Sequence, residues 1–159
     1  MNQELADFLK KKKKEKKKKK QARPGAGTAI DWDDRRDKYL AAVEGLYREI
    51  EAIFAQPIRR GEVTVQKRPK QLSESYIGTY SVNDLILLID DEQVRFSPVG
   101  RNIAGASGRV DVIGERGGAT LILQPDSRWG FVQTRQPTLR VVAFNESTLT
   151  EVLQIVMRD

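Results

Sequence analysis

The chain contains no cysteine and no histidine. Without cysteine there can be no disulfide, no thiolate nucleophile and no thiolate metal site. Without histidine it lacks the side chain most often used as a general base near neutral pH and as a metal ligand. Aromatic residues make up only 7% of the 159 positions. No apolar run approaches the roughly twenty residues that span a bilayer, and no apolar segment of signal-peptide length follows the basic stretch near the start. These absences lead to the expectation of a soluble, cytoplasmic protein with a low prior for enzymatic chemistry, no cofactor and no metal.

The charge present is very unevenly placed. Residues 9–21 read LKKKKKEKKKKKQ, with Lys10, Lys11, Lys12, Lys13, Lys14, Lys16, Lys17, Lys18, Lys19 and Lys20 interrupted only by Glu15. These ten lysines against Glu4, Asp7 and Glu15 give +7 for residues 1–20. The whole chain carries +6, so residues 21–159 carry −1. The basic character therefore belongs to the leading segment, and the rest is close to neutral. Like charges at helical spacing repel, so the run is expected to be disordered, or helical only when an anion screens it. Each phosphate neutralised by such a run releases a counterion, and each lysine near an anionic membrane adds about 1 kcal/mol. Leu5, Phe8 and Leu9 would share one side of a helix and add a small apolar contact. The run fits RNA, DNA, an anionic surface or an acidic partner, and it equally fits a solvated tail.

Three zones follow: a lysine-rich tail over 1–20, a flexible linker over 21–30 with Pro24, Gly25 and Gly27, and a single domain over 31–159. The domain opens with a helix. Asp31 is a candidate N-cap, and Tyr39, Val43, Leu46, Tyr47, Ile50, Ile53 and Phe54 recur every three or four residues, which predicts a helix from about 32 to 55 ended by Gln56-Pro57.

The period then becomes strand-like. Candidate strands cover about 62–67, 75–81, 84–89, 93–97, 108–113, 119–124, 128–133 and 139–143, with the second and third open to being one bent strand. Their connections are too short for parallel crossovers, so an antiparallel meander is expected. A closing helix is marked by Leu149, Val152, Leu153, Val156 and Met157, with Asn145 or Ser147 as its cap and Thr148 with Glu151 as a capping box. The fold class is α+β: an N-terminal helix, a meander of seven to eight short strands, and a C-terminal helix packed on the sheet. This order of elements resembles the pleckstrin-homology-like superfold, a likeness of fold that carries no function. An open sheet with both helices on one face fits equally well.

Few constellations carry chemistry. GRNIAGASGR, from Gly100 to Arg109, is rich in glycine but lacks the lysine of a phosphate-binding loop and leads into a strand. Backbone N–H groups there, with Arg101, Ser107 and Arg109, form a candidate anion or ligand site beside Asp111. Asp111 is the one carboxylate expected inside a strand, facing away from Val110 and Val112. The aspartates of DWDDRRD are expected to serve the helix start, and Asp90, Asp91 and Glu92 a solvated hairpin turn. Trp129 with Phe131, and Tyr76 with Tyr80, are expected as same-side strand pairs, core more readily than a nucleic-acid platform.

The leading expectation is a non-enzymatic interaction module. Its lysine arm would tether it weakly to a polyanion, and its neutral body would bind a partner through its sheet, a protein or a neutral or apolar ligand. The alternative is a small-ligand protein or enzyme using arginine and Asp/Glu in a sheet pocket.

Overall fold

The computed structural model describes residues 30–101 and 107–158. The lysine run and nearly all of the expected linker lie outside these residues, as do Asn102–Ala106 of the glycine-rich stretch. The chain divides into two units, Met1–Asp31 and Trp32–Asp159, and the architecture below is that of the second.

Helix α1 spans Trp32–Ile53 and buries Tyr39, Val43, Leu46, Tyr47 and Ile50, the stripe set by its three- and four-residue spacing. Proline does not end the helical path where expected. A short helix α2, Ala55–Arg59, follows at once and holds Pro57. The missing proline N–H is harmless in a first turn, where backbone donors have no intrahelical acceptor.

Seven strands follow: β1 Val63–Glu74, β2 Gly78–Ile89, β3 Glu92–Gly100, β4 Gly108–Ile113, β5 Gly118–Leu123, β6 Trp129–Thr134 and β7 Arg140–Ala143. They form one antiparallel sheet in the order β1-β2-β3-β4-β5-β6-β7. The sheet is open, and the expected second and third strands are the single strand β2. Strand β1 runs through Pro69 to Glu74, well past the expected end near Lys67, and its register with β2 is unbroken from Val63↔Ile89 to Glu74↔Gly78. Proline is tolerated because β1 is an end strand, with its other side unconstrained by the ladder.

The β2–β3 ladder stops at Leu85↔Phe96. Continuing the register would place Pro98 opposite Asn83, and proline has no N–H to offer. The phenol of Tyr47 from α1 donates instead to the Asn83 carbonyl at 2.6 Å and reaches the Phe96 carbonyl at 3.3 Å. A helix side chain thus satisfies a carbonyl that the sheet leaves open.

Helix α3, Glu146–Val156, closes the described chain. Its cap is Asn145, and the reciprocal partner is Thr148: Thr148 N–H donates to Asn145 Oδ1 at 3.0 Å, and Asn145 N–H donates to Thr148 Oγ1 at 2.9 Å. Ser147 is not the cap, and Glu151 is not the box partner. Glu151 accepts from Gln133 on β6 at 3.2 Å.

Leu149, Val152 and Val156 of α3 join the stripe of α1 and the sheet residues Leu85, Leu87, Val94, Phe96, Val110, Val112, Leu121 and Phe131 in one core. The residues of both helices that meet this core therefore address the same face of the strands. Polar contacts fix the arrangement. Trp129 Nε1 donates to the Ala42 carbonyl at 3.0 Å, and the Tyr39 hydroxyl to the Arg109 carbonyl at 2.6 Å. Lys67 on β1 lies 3.8 Å from Glu44 and 3.7 Å from Glu51 of α1. Trp129 and Phe131 are core residues. No helix among the described residues is long and apolar enough to cross a membrane.

Candidate functional site

The residues singled out around the glycine-rich stretch do not converge on one ligand position. Arg109 Nε bonds Asp111 Oδ1 at 2.7 Å, so these two neutralise each other on β4, facing away from the buried Val110 and Val112. Ser107 gives its backbone N–H to the Leu123 carbonyl at 2.7 Å. Arg101 lies apart: its backbone N–H donates to Glu74 Oε1 at 2.8 Å. Asp111 is also not the one carboxylate within a strand. Asp84 sits inside β2 and is buried, and Glu92 opens β3.

Asp84 belongs to a polar trio that sequence reading missed. Lys70 Nζ lies 2.8 Å from Asp84 Oδ1, an ionic approach without good hydrogen-bond alignment, and donates to Ser97 Oγ at 2.5 Å. A hydroxyl, an amine and a carboxylate in line superficially suit nucleophilic chemistry. Lys70, however, donates to Ser97 Oγ and so is not placed to accept its proton. The trio is a strut linking β1, β2 and β3.

The other acidic candidates are engaged as well. Arg158 reaches Asp91 at 2.9 Å, Glu92 at 3.5 Å and Glu115 at 2.6 Å, which ties the end of the described chain to two turns of the sheet. Asp33 and Asp37 flank Arg36 at 3.5 and 3.0 Å, and Asp34 meets Lys38 at 3.1 Å, all within the opening turns of α1. A shallow depression of about 530 Å³ beside α3 is lined by Arg116, Thr150, Leu153, Gln154, Met157 and Arg158. It contains none of the expected site residues, and Arg116 there already donates to the Gln154 carbonyl at 2.6 Å.

A more distinctive cluster forms where the β1–β2 hairpin meets the start of α1. Tyr76 is not paired with Tyr80 on a strand. It occupies the hairpin turn at φ 69°, is 82% exposed, and stacks on Trp32 with ring centroids 5.3 Å apart and planes 16° from parallel. The Arg35 guanidinium carbon lies 5.3 Å from the centre of the Trp32 ring, within the range of a cation–π contact.

Beneath the turn, Glu74 accepts from the Tyr80 hydroxyl and from the Arg101 N–H. Gly100 sits at φ 143°, and a Cβ there would come within 2.8 Å of the Glu74 carboxylate, so only glycine permits this approach. Burial, with the charge of Arg35 next in effect, pushes the Arg101 guanidinium below its ordinary pKa. The two cations are therefore close enough to oppose each other. Trp32 was legible in principle, since it precedes Tyr39 by seven residues on the same helical stripe. Its meeting with Tyr76 depends on the length of the hairpin, which no local pattern encodes.

Compared with known protein families, curated proteins and solved structures, the chain matches none.

Proposed function

We propose that the protein is a non-enzymatic interaction module in which Lys10–Lys20 form a polyanion tether and the near-neutral α+β body binds a partner. The observation that carries this reading is the segregation of charge: +7 in residues 1–20 against −1 in the remainder. A tether of this kind raises local concentration and on-rate near an anionic surface and adds salt-sensitive affinity without sequence readout. The alternative of a ligand pocket built on arginine and carboxylate has less support, because Arg109 and Asp111 already satisfy one another at 2.7 Å.

The test titrates the full chain, and the same chain with its ten tail lysines replaced by glutamine, against fluorescent RNA, duplex DNA and anionic liposomes at several salt concentrations. The native chain should bind at least one polyanion with an affinity that falls steeply with salt. The neutralised chain should lose that binding. Full affinity in the neutralised chain would overturn the tether.

A further inference from the structure

A tether alone does not explain why the hairpin turn carries an exposed tyrosine in a backbone conformation that tyrosine rarely adopts. Three residues of the described chain have positive φ without being glycine: Tyr76, Asp90 and Ser127. Short polar residues such as Asp and Ser tolerate that region in turns through local hydrogen bonds. A bulky aromatic gains no such relief, and strained residues of this sort concentrate at binding sites. The ring contacts Trp32 on one side yet remains 82% exposed, so its burial does little to offset the strain.

The charges beside it are equally uneconomical for a purely structural role. The aspartates of α1's opening turns are engaged by Arg36 and Lys38. Among the described residues, no carboxylate forms an ion pair with the guanidinium of Arg35 or of Arg101. Arg35 meets Trp32, and Arg101 meets Glu74 through its backbone. One cation, Arg35, thus lies against the open aromatic stack, and a second, Arg101, lies within electrostatic range of Arg35 and of Glu74.

The geometry points to a binding site for single-stranded nucleic acid here: a base stacks on the side of Tyr76 away from Trp32, and an adjoining phosphate is held by Arg35 and Arg101. The inference rests on the polyanion reading above and gives it a nucleotide-sized site on the folded body. Aromatic stacking accepts any base, because every base has a π-face, and guanidinium groups suit phosphate geometry. A duplex keeps its bases stacked on one another and offers none to Tyr76.

The experiment measures binding of a labelled single-stranded oligonucleotide, and of its duplex, to the full chain. The proteins compared are the native one, Tyr76→Gly, Tyr76→Phe, the pair Arg35→Gln with Arg101→Gln, and the chain with its tail lysines neutralised. Tyr76→Gly removes the ring while suiting the positive φ, so the turn is kept. Thermal melting of each variant confirms the fold.

The expected result is preference for the single strand and a loss of roughly tenfold or more in Tyr76→Gly with the salt slope unchanged. Tyr76→Phe should bind as the native chain does, and the double arginine variant should lose affinity with a shallower salt slope.

If Tyr76→Gly binds like the native chain while neutralising the lysines abolishes binding, the tether stands and this site falls. If Tyr76→Gly fails and the lysine variant still binds, the site stands and the tether falls. Absence of binding to the native chain would overturn both. Equal binding of duplex and single strand, or competition by a nucleoside monophosphate as effective as the oligonucleotide, would overturn the assignment to a strand.

Discussion

Tyr47 shows how much one atom can carry. Its hydroxyl caps the Asn83 carbonyl at 2.6 Å where Pro98 leaves the ladder without a donor. Tyr47→Phe keeps the ring volume and leaves that carbonyl unpaired, so urea unfolding should show a loss of about 1–3 kcal/mol. Gly108 is constrained in a different way: a Cβ would fall 2.4 Å from the ring of Tyr39, which is fully buried and tied to the Arg109 carbonyl. The ring has nowhere to retreat, and Gly108→Ala should cost about 1–3 kcal/mol by the same measurement.

The buried phenols also set an alkaline limit. Burial raises Tyr39 and Tyr47 above the ordinary value of 10.0, and the nearby Asp84 charge adds to the effect on Tyr47. Burial, with the bond to Glu74, raises Tyr80 likewise. The folded chain then keeps protons that the unfolded chain releases above about pH 10. Their contribution is complete below that pH and is lost as pH rises beyond it. Stability should hold level up to about pH 9 and then fall, with a shallower fall in Tyr47→Phe, as followed by denaturant midpoints across pH.

Elements were legible in the sequence in proportion to how local their causes are. The α1 stripe and the α3 face repeat at helical spacing, and each side chain in them reports its own element, so both helices stand where expected. Strands β4 to β7 are bounded by turn residues and match the expected spans closely. Strand β1 does not, because Lys67-Arg68-Pro69-Lys70 has the local character of a loop, and its extension follows from pairing with β2 along the whole hairpin. The candidate site was less legible still: Lys70, Asp84 and Ser97 come from three strands, and Trp32 meets Tyr76 across 44 positions. Ambiguity between cap residues was resolved by geometry alone. Asn145→Ala should therefore destabilise α3 by about 1 kcal/mol, while Ser147→Ala should stay within about 0.5 kcal/mol of the native protein, a contrast that thermal melts would resolve.

At the scale of the molecule, the sheet ends in strands that carry devices against association. Strand β1 presents Lys67, Arg68, Pro69 and Lys70 in succession, and β7 is four residues long. Charge, proline and brevity each discourage pairing with another sheet. The protein should elute as a monomer at micromolar concentration in size exclusion with light scattering, and replacing Arg68 and Pro69 by threonine should promote concentration-dependent association.

The strict sequential order of the strands has a bearing on synthesis. Each strand's neighbour in the sheet is the next one to be synthesised. Helix α1, made before any of them, has to wait: Tyr39 closes onto Arg109 and Ala42 onto Trp129, 70 and 87 positions downstream. During that interval the part of its apolar stripe that β4 and β6 cover is exposed to water and to other nascent chains, so conditions that slow translation between β1 and β6 should raise chaperone demand more than equal slowing after α3.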